Sequence, residues 1–228
     1  LYGAPAAGNR LSGFYQVSHW RSPLENLKDF QFGHLLDTSF SSHQDLDDIT
    51  LNTEGKARLK IASGWQQSQS PLKVQITTSL YESGGRPVTR SHPVLIWPAP
   101  DLIGVRPTFG RENPEANSLA EFEIVKANLQ GELLAAEQLE ITLISEDRQY
   151  FWEYSDHEGW HWSWSDKEFP VASESLSFAA GEKGTVRFPV DWGNYRLEVK
   201  DPATGLITSV RFFAGYDWYH DWQNAESG

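Results

Sequence analysis

The sequence of 228 residues contains no cysteine. That excludes disulfides, thiolate metal sites and cysteine nucleophiles. It leaves the redox compartment open, because a chain of this length does not need disulfides to fold. Cationic residues are scarce. Lys and Arg number 19 against 31 Asp and Glu, for a formal charge of −12. Such a field repels a polyanion, so nucleic acid is excluded as a partner class. No apolar run approaches the ~18 residues of a spanning helix. Residues 1–20 lack the continuous apolar block of a signal peptide. No N-x-Ser/Thr sequon occurs. Helical periodicity is also scarce. The one stretch of good helix formers, 129–143, ends in residues 139–144 that alternate with period two.

What is abundant is strand pattern and tryptophan. Runs at 11–20, 49–51, 57–61, 72–80, 88–97, 120–127, 139–144, 186–190, 195–199 and 207–213 are bounded by Gly, Pro, Asn and Asp. Their spacing is that of β-sandwiches, so the fold class is all-β. At 228 residues the chain suits two domains of about 100 residues each. Pro98-Ala-Pro100 marks the boundary, since proline cannot donate to a ladder. The expected domains are 1–98 and 101–218, followed by a tail at 219–228. Residues 41–48 and 111–117 read as polar loops.

An internal repeat links the halves. Residues 49–61 and 176–190 each read as strand, Gly-containing turn and strand. At a gapless offset of 128, Gly3 overlies Gly131, Ala7 overlies Ala135 and Leu11 overlies Leu139. In the second half two strand patterns, at 103–106 and 120–127, precede the matched segment. The first sandwich is therefore expected to be incomplete, entering the sequence at its third strand, with an open edge and an uncovered apolar face.

Several residues invite a chemical reading. His157-Glu158-Gly159-Trp160-His161 fits the H-E-x-x-H pattern of zinc hydrolases, which needs a helix to bring both His to one face. Here aromatics fall at 150, 152, 154, 160, 162 and 164, in strict period two around a five-residue turn at 155–159. The segment therefore predicts a hairpin pairing Tyr154 with Trp160, Trp152 with Trp162 and Tyr150 with Trp164, and setting His161 opposite Glu153. On a strand, residues four apart are separated by about 13 Å, too far to share one zinc. Asp45, Asp47 and Asp48 form an acidic cluster of Ca²⁺-ligating chemistry, but without the glycine spacing of an EF-hand loop. Gly181-Glu-Lys-Gly184 predicts a turn and not a phosphate cradle, because no helix follows. No G-x-S-x-G elbow is present. The ten tryptophans admit two readings: core packing, or an exposed coplanar row that stacks on sugar rings. No residue is assigned as catalytic, cofactor-binding or metal-ligating; no cofactor is expected, and the chain reads as non-enzymatic.

Phe30-Gln-Phe-Gly33, the 51–59 segment, 102–107, 192–202 and 212–218, in this order along both halves, resemble bacterial α2-macroglobulins. The likeness falls on their middle macroglobulin-like domains, upstream of the bait region and the thioester domain. It implies two tandem macroglobulin-like (fibronectin III-like) antiparallel β-sandwiches, part of a broad-range endopeptidase inhibitor that traps proteases. It further implies a periplasmic parent tethered to the inner membrane by a lipidated N-terminus. The implied partners are the remaining domains of the parent, target endopeptidases and a cell-wall-synthesising penicillin-binding protein. With no cysteine, this chain holds neither the thioester nor the lipidated residue of that family. What it offers is scaffold. The rival reading is a carbohydrate-binding or adhesin-type sandwich pair using exposed tryptophans.

Overall fold

The structure is a computed structural model that describes residues 5–37, 42–61, 65, 68–81, 85–110, 113–155, 157 and 159–215; at 148–151, 155 and 163–166 it describes the backbone alone. In chain order its strands are β1 (Arg10–His19), β2 (Gln31–Phe32), β3 (Ser42–Thr50), β4 (Leu72–Tyr81), β5 (Val88–Ile96), β6 (Asp101–Pro107), β7 (Ser118–Asn128), β8 (Leu133–Leu134), β9 (Ala136–Ser155), β10 (Gly159–Phe178), β11 (Gly184–Val190), β12 (Gly193–Lys200) and β13 (Ile207–Ala214). Glu25–Leu27 forms a short 3-10 turn. Among the described residues no helix is long and apolar enough to cross a membrane. Among the described residues every ladder is antiparallel, in keeping with the alternating sequence pattern.

The chain forms two compact units. The first holds residues 1–23 and 36–100, and the second holds 24–35 and 101–228. The main break falls between Pro100 and Asp101. Residues 24–35, although they lie within the first half of the sequence, belong to the second unit. The reason is apolar: Leu24, Leu27, Phe30 and Phe32 are all buried. The expected tail at 219–228 lies outside the described residues.

The first unit builds one four-stranded sheet in the order β3-β1-β4-β5. Its apolar face centres on Tyr15, Val17, Leu72 and Val74, with Ile61 and Trp65 packed against them. Gly13 lies where a Cβ would strike the Thr77 carbonyl of β4, so only glycine fits there. The other face is a polar ladder, in which Thr77 pairs with Ser91 at 2.8 Å and Ser79 with Thr89 at 2.8 Å. Two expectations fail in this unit. Residues 41–48, read as a loop, run largely along edge strand β3. The expected strand at 57–61 lies in no ladder. β3 is mostly exposed, which is why its composition resembles a loop; charge on an edge strand discourages edge-to-edge pairing.

The second unit is a two-sheet sandwich. One sheet runs β10-β9-β12-β13 and the other β11-β7-β6-β2, with β8 beside β7. The core between them includes Val105, Phe122 and Ile124 from one sheet and Ile141, Leu143 and Leu197 from the other. β11 alternates buried and exposed along its whole length. Its companion in the expected strand–turn–strand repeat, β10, lies in the other sheet.

Candidate functional site

The chemistry suggested by the sequence disperses in three dimensions. His161 faces Glu153 across an antiparallel ladder, and Gly159 pairs with Ser155, so the H-E-x-x-H residues lie on a hairpin and not on a helix. His161 Nδ1 is 3.2 Å from the Gly159 carbonyl. His157 is in the turn and exposed, and Glu158 lies outside the described residues. Asp45, Asp47 and Asp48 follow one another along exposed β3, and Asp48 accepts from Arg10 at 3.3 Å. Gly181–Gly184 leads from a turn into β11 and not into a helix. A His–Ser contact that the sequence did not suggest joins His34 Nδ1 to Ser209 Oγ at 2.9 Å. Ser209 is fully buried and its Oγ also accepts from the Leu35 amide at 2.9 Å. This hydroxyl fastens a segment and is not presented to a substrate.

Two features remain in which many groups converge. The first is the docked segment 24–35. Phe32 is fully buried and pairs with Gly104 of β6. A Cβ on Gly104 would sit 2.8 Å from the Phe32 ring, so this glycine makes the space that the ring fills. The Arg106 guanidinium and the Lys183 ammonium both lie over the Phe30 ring, each 5.3 Å from its centroid. Both cations also bind Glu123, Arg106 at 2.6 Å and Lys183 at 3.2 Å. Burial alone would raise Glu123, but hydrogen bonds from Lys183 and Arg106 outweigh it and hold the carboxyl below its usual range. Asn26 donates to the Gly131 carbonyl at 2.9 Å, and the Thr208 hydroxyl accepts from the Gly33 amide at 3.1 Å. The signal for this docking was in the sequence: four apolar side chains within a Pro- and Gly-bounded connection. Nothing in the pattern says which sheet receives them.

The second feature is an arm. β9 and β10 pair over twenty residues each, but the ladder between β9 and β12 ends at Glu146. Beyond it β9 and β10 continue as a two-stranded ribbon of about 30 Å. Tyr154 pairs with Trp160, Trp152 with Trp162 and Tyr150 with Trp164, the register expected from the alternation. Trp152 and Trp162 touch at 4.4 Å between centroids with planes 33° apart, and Tyr154 and Trp160 at 5.6 Å and 62°. These four side chains remain 54%, 57%, 58% and 69% exposed for Trp152, Trp162, Tyr154 and Trp160.

At the foot of the arm Arg196 of β12 reaches across β9 to β10. Its guanidinium grips Glu168 bidentately at 2.8 and 2.7 Å and also binds Glu146 and, at 2.9 Å, Glu198. Arg211 adds a second cation on Glu146 at 2.7 Å. Arg196 is 2% exposed, and the hydrogen bond to Glu168 leads the contacts that raise its pKa further. Two guanidiniums here face three carboxylates, and each carboxylate is held by at least one of them, so the cluster ties three strands together and presents no free acid or base. Among the described residues no group of three or more His, Asp or Glu converges as metal ligands.

Known proteins match this architecture throughout. The model of the bacterial alpha-2-macroglobulin MG5 domain matches residues 1–98, and that of bacterial macroglobulin domain 6 matches 104–216. The alpha-2-macroglobulin of Escherichia coli K12 is 39% identical over 96% of the chain, and that of Xylella fastidiosa 9a5c is 38% identical over 97%. The chain spans 14% of the length of each. Among solved structures, Salmonella alpha-2-macroglobulin reacted with methylamine superposes with a TM-score of 0.84 at 41% identity, covering 96% of this chain and 15% of that one. The native conformation of the E. coli protein gives 0.85 at 39% identity, covering 96% of this chain and 14% of that one. With both halves matched in order, and with the sandwich folds they describe, this chain belongs to the bacterial alpha-2-macroglobulin family.

Proposed function

We propose that this chain is a non-catalytic scaffold segment of a protease-trapping alpha-2-macroglobulin, broad in the endopeptidases it meets. The observation that carries this reading is where the structure invests its buried polar chemistry. The Arg196 cluster joins strands, the Glu123 cluster and Ser209 fasten residues 24–35, and none of them opens toward a substrate. A family member activated by porcine elastase supports a protease as the parent's target. With no cysteine here, thioester capture and lipid anchoring belong to other parts of the parent. The parent is proposed to work in the periplasm, anchored at the inner membrane, with a cell-wall-synthesising penicillin-binding protein as a further partner. Cell fractionation and a crosslinked pull-down test those two points.

The direct test is incubation of the chain with trypsin or elastase, followed by a denaturing gel. The scaffold reading expects no protease-sized covalent adduct, and an adduct would refute it. The exposed tryptophans favour a second reading, carbohydrate binding. Against it, the ring planes are 33° and 62° apart, whereas sugar stacking uses a flat platform. Retardation of the chain in a polysaccharide affinity gel, lost in Trp160→Ala, would support that second reading instead.

A further inference from the structure

The two units repeat one sheet, and the repeat assigns a use to the arm. The order β3-β1-β4-β5 of the first unit matches β10-β9-β12-β13 of the second. At the offset of 128 residues, β1 overlies the sheet-bound part of β9, and β3 overlies 170–178 of β10. The connection between β1 and β3, residues 20–41, then overlies 148–169. Within it the docked segment 24–35 overlies 152–163, the aromatic end of the arm. Leu24 falls on Trp152 and Phe32 falls on Trp160. In the first case the apolar side chains are buried in the second unit, although the segment interrupts the sheet of the first. In the second case the rings stand exposed, on a ribbon with no further ladder partner among the described residues.

We propose that the arm is the counterpart of residues 24–35: its aromatic end inserts into another β-sandwich domain of the parent polypeptide and clasps it. The docked segment shows what receives such a side chain, namely an apolar slot with basic residues over the ring, as Arg106 and Lys183 lie over Phe30. The arm's charge fits the same receptor. Between positions 147 and 167 Asp147, Glu153, Asp156, Glu158 and Asp166 outnumber Arg148 and Lys167. A receiving sandwich that presents Lys or Arg over the rings gains both cation–π and Coulomb attraction. The Arg196 cluster fixes the base from which the ribbon departs, so less orientational freedom is lost on docking.

The inference rests on the scaffold reading, and its test is separate from that of the reading. Hydroxyl-radical footprinting compares this chain alone with the native full-length polypeptide. Trp152, Trp160 and Trp162 are expected to oxidise readily in the chain alone. In the full-length protein they should be protected by a factor of about ten, the ratio of their exposure to the ~5% of a fully buried side chain. A photo-crosslinker replacing Tyr154 should link to one β-sandwich outside residues 1–215. Trp160→Ser, which leaves the ladder and Arg196 in place, should abolish the protection of Trp152 and Trp162. Equal oxidation in the two forms overturns the proposal. So do crosslinks to a second copy, to a sugar or to lipid, or protection that appears only after a protease is added. Covalent capture of a protease by the isolated chain would refute the scaffold reading without altering the footprint, so the two failures are distinguishable.

Discussion

The sheets formed by residues 10–96 and 136–214 share one strand order, yet they are completed differently. The second is covered by a sheet of β11, β7, β6 and β2, so both faces of its core are lined by ladders. The first, among the described residues, is a single sheet whose apolar face is covered by irregular chain that includes Ile61 and Trp65. The contrast is sharpest at 57–61. At the offset of 128 these residues overlie 185–189 of β11, and both sequences alternate. β11 forms because β7 offers it a ladder from Ile124 to Ser118. Residues 57–61 have no ladder partner among the described residues, and they form no strand. Alternation creates a face that fits a sheet, but the strand itself requires a partner's hydrogen bonds.

The largest effect that would break the comparison concerns Phe32. If the units were continuous in sequence, truncating this side chain would loosen the first unit. Because its ring fills the space at Gly104, Phe32→Ala should instead destabilise the second sandwich by about 3–5 kcal/mol. Hydrogen exchange followed by mass spectrometry reads the two units separately. Faster exchange in β6 and β7, with β1 and β4 unchanged, is the expected result. Loss of protection confined to β1 and β4 would show the assignment of 24–35 to be wrong.

Next comes Arg196. Replacing it with Ala leaves Glu146, Glu168 and Glu198 facing one another without their common partner, at a cost of about 3–5 kcal/mol. The first unit's Arg10–Asp48 pair is exposed at both ends, so Arg10→Ala should cost at most about 1 kcal/mol. Urea midpoints of the two variants test the difference. Equal shifts would mean that the buried cluster is worth no more than a surface pair.

A pH series sharpens the same contrast. Glu123 is held below the ordinary 4.5, so its contribution is full above that value and is lost as pH falls through the depressed value. Lys126 donates to Asp201 at 2.8 Å; burial would lower its pKa, but that hydrogen bond and the charges of Asp101 and Asp201 raise it above 10.5. Its contribution is full below 10.5 and is lost as pH rises through the raised value. Exchange protection in the second sandwich should therefore hold between these limits and fall outside them. A loss centred near neutral pH would point to histidine instead.

The sequence carried the hairpin register because aromatic alternation on both sides of a five-residue turn admits few alternatives; Trp152 opposite Trp162 followed from counting. It carried β4 because Leu72, Val74 and Ile76 alternate with polar residues. It did not carry β3, since His43, Asp45, Asp47 and Asp48 are what an exposed edge strand and a loop have in common. Nor did it carry the placement of residues 24–35. Phe30 and Phe32 announce burial, but the receiving surface is made of Gly104, Arg106, Gly131, Lys183 and Ser209, scattered over more than a hundred positions. The Arg196 cluster was equally hidden, because Glu146 and Glu168 become neighbours only once β9 and β10 pair.

The smallest expected effect distinguishes an arm held for docking from one that supports the fold. If the exposed rings served the sandwich itself, removing them would cost several kcal/mol, as a core residue does. The geometry says otherwise. Trp152 and Trp162 touch each other beyond Glu146, where the β12 ladder has ended. A cross-strand aromatic pair of this kind contributes about 0.5–1 kcal/mol, and locally. In a double-mutant cycle, Trp152→Ala and Trp162→Ala should show a coupling of about that size by urea denaturation. The unfolding midpoint of the sandwich should barely move, while exchange at 147–155 and 159–167 should quicken. Two rings in contact also couple their strong electronic transitions, so either single variant should remove an exciton couplet in the far-ultraviolet dichroism. A coupling several-fold larger, with protection lost in β12 and β13, would make the arm part of the core. The comparison of the exposed arm with the docked segment 24–35 would then fall.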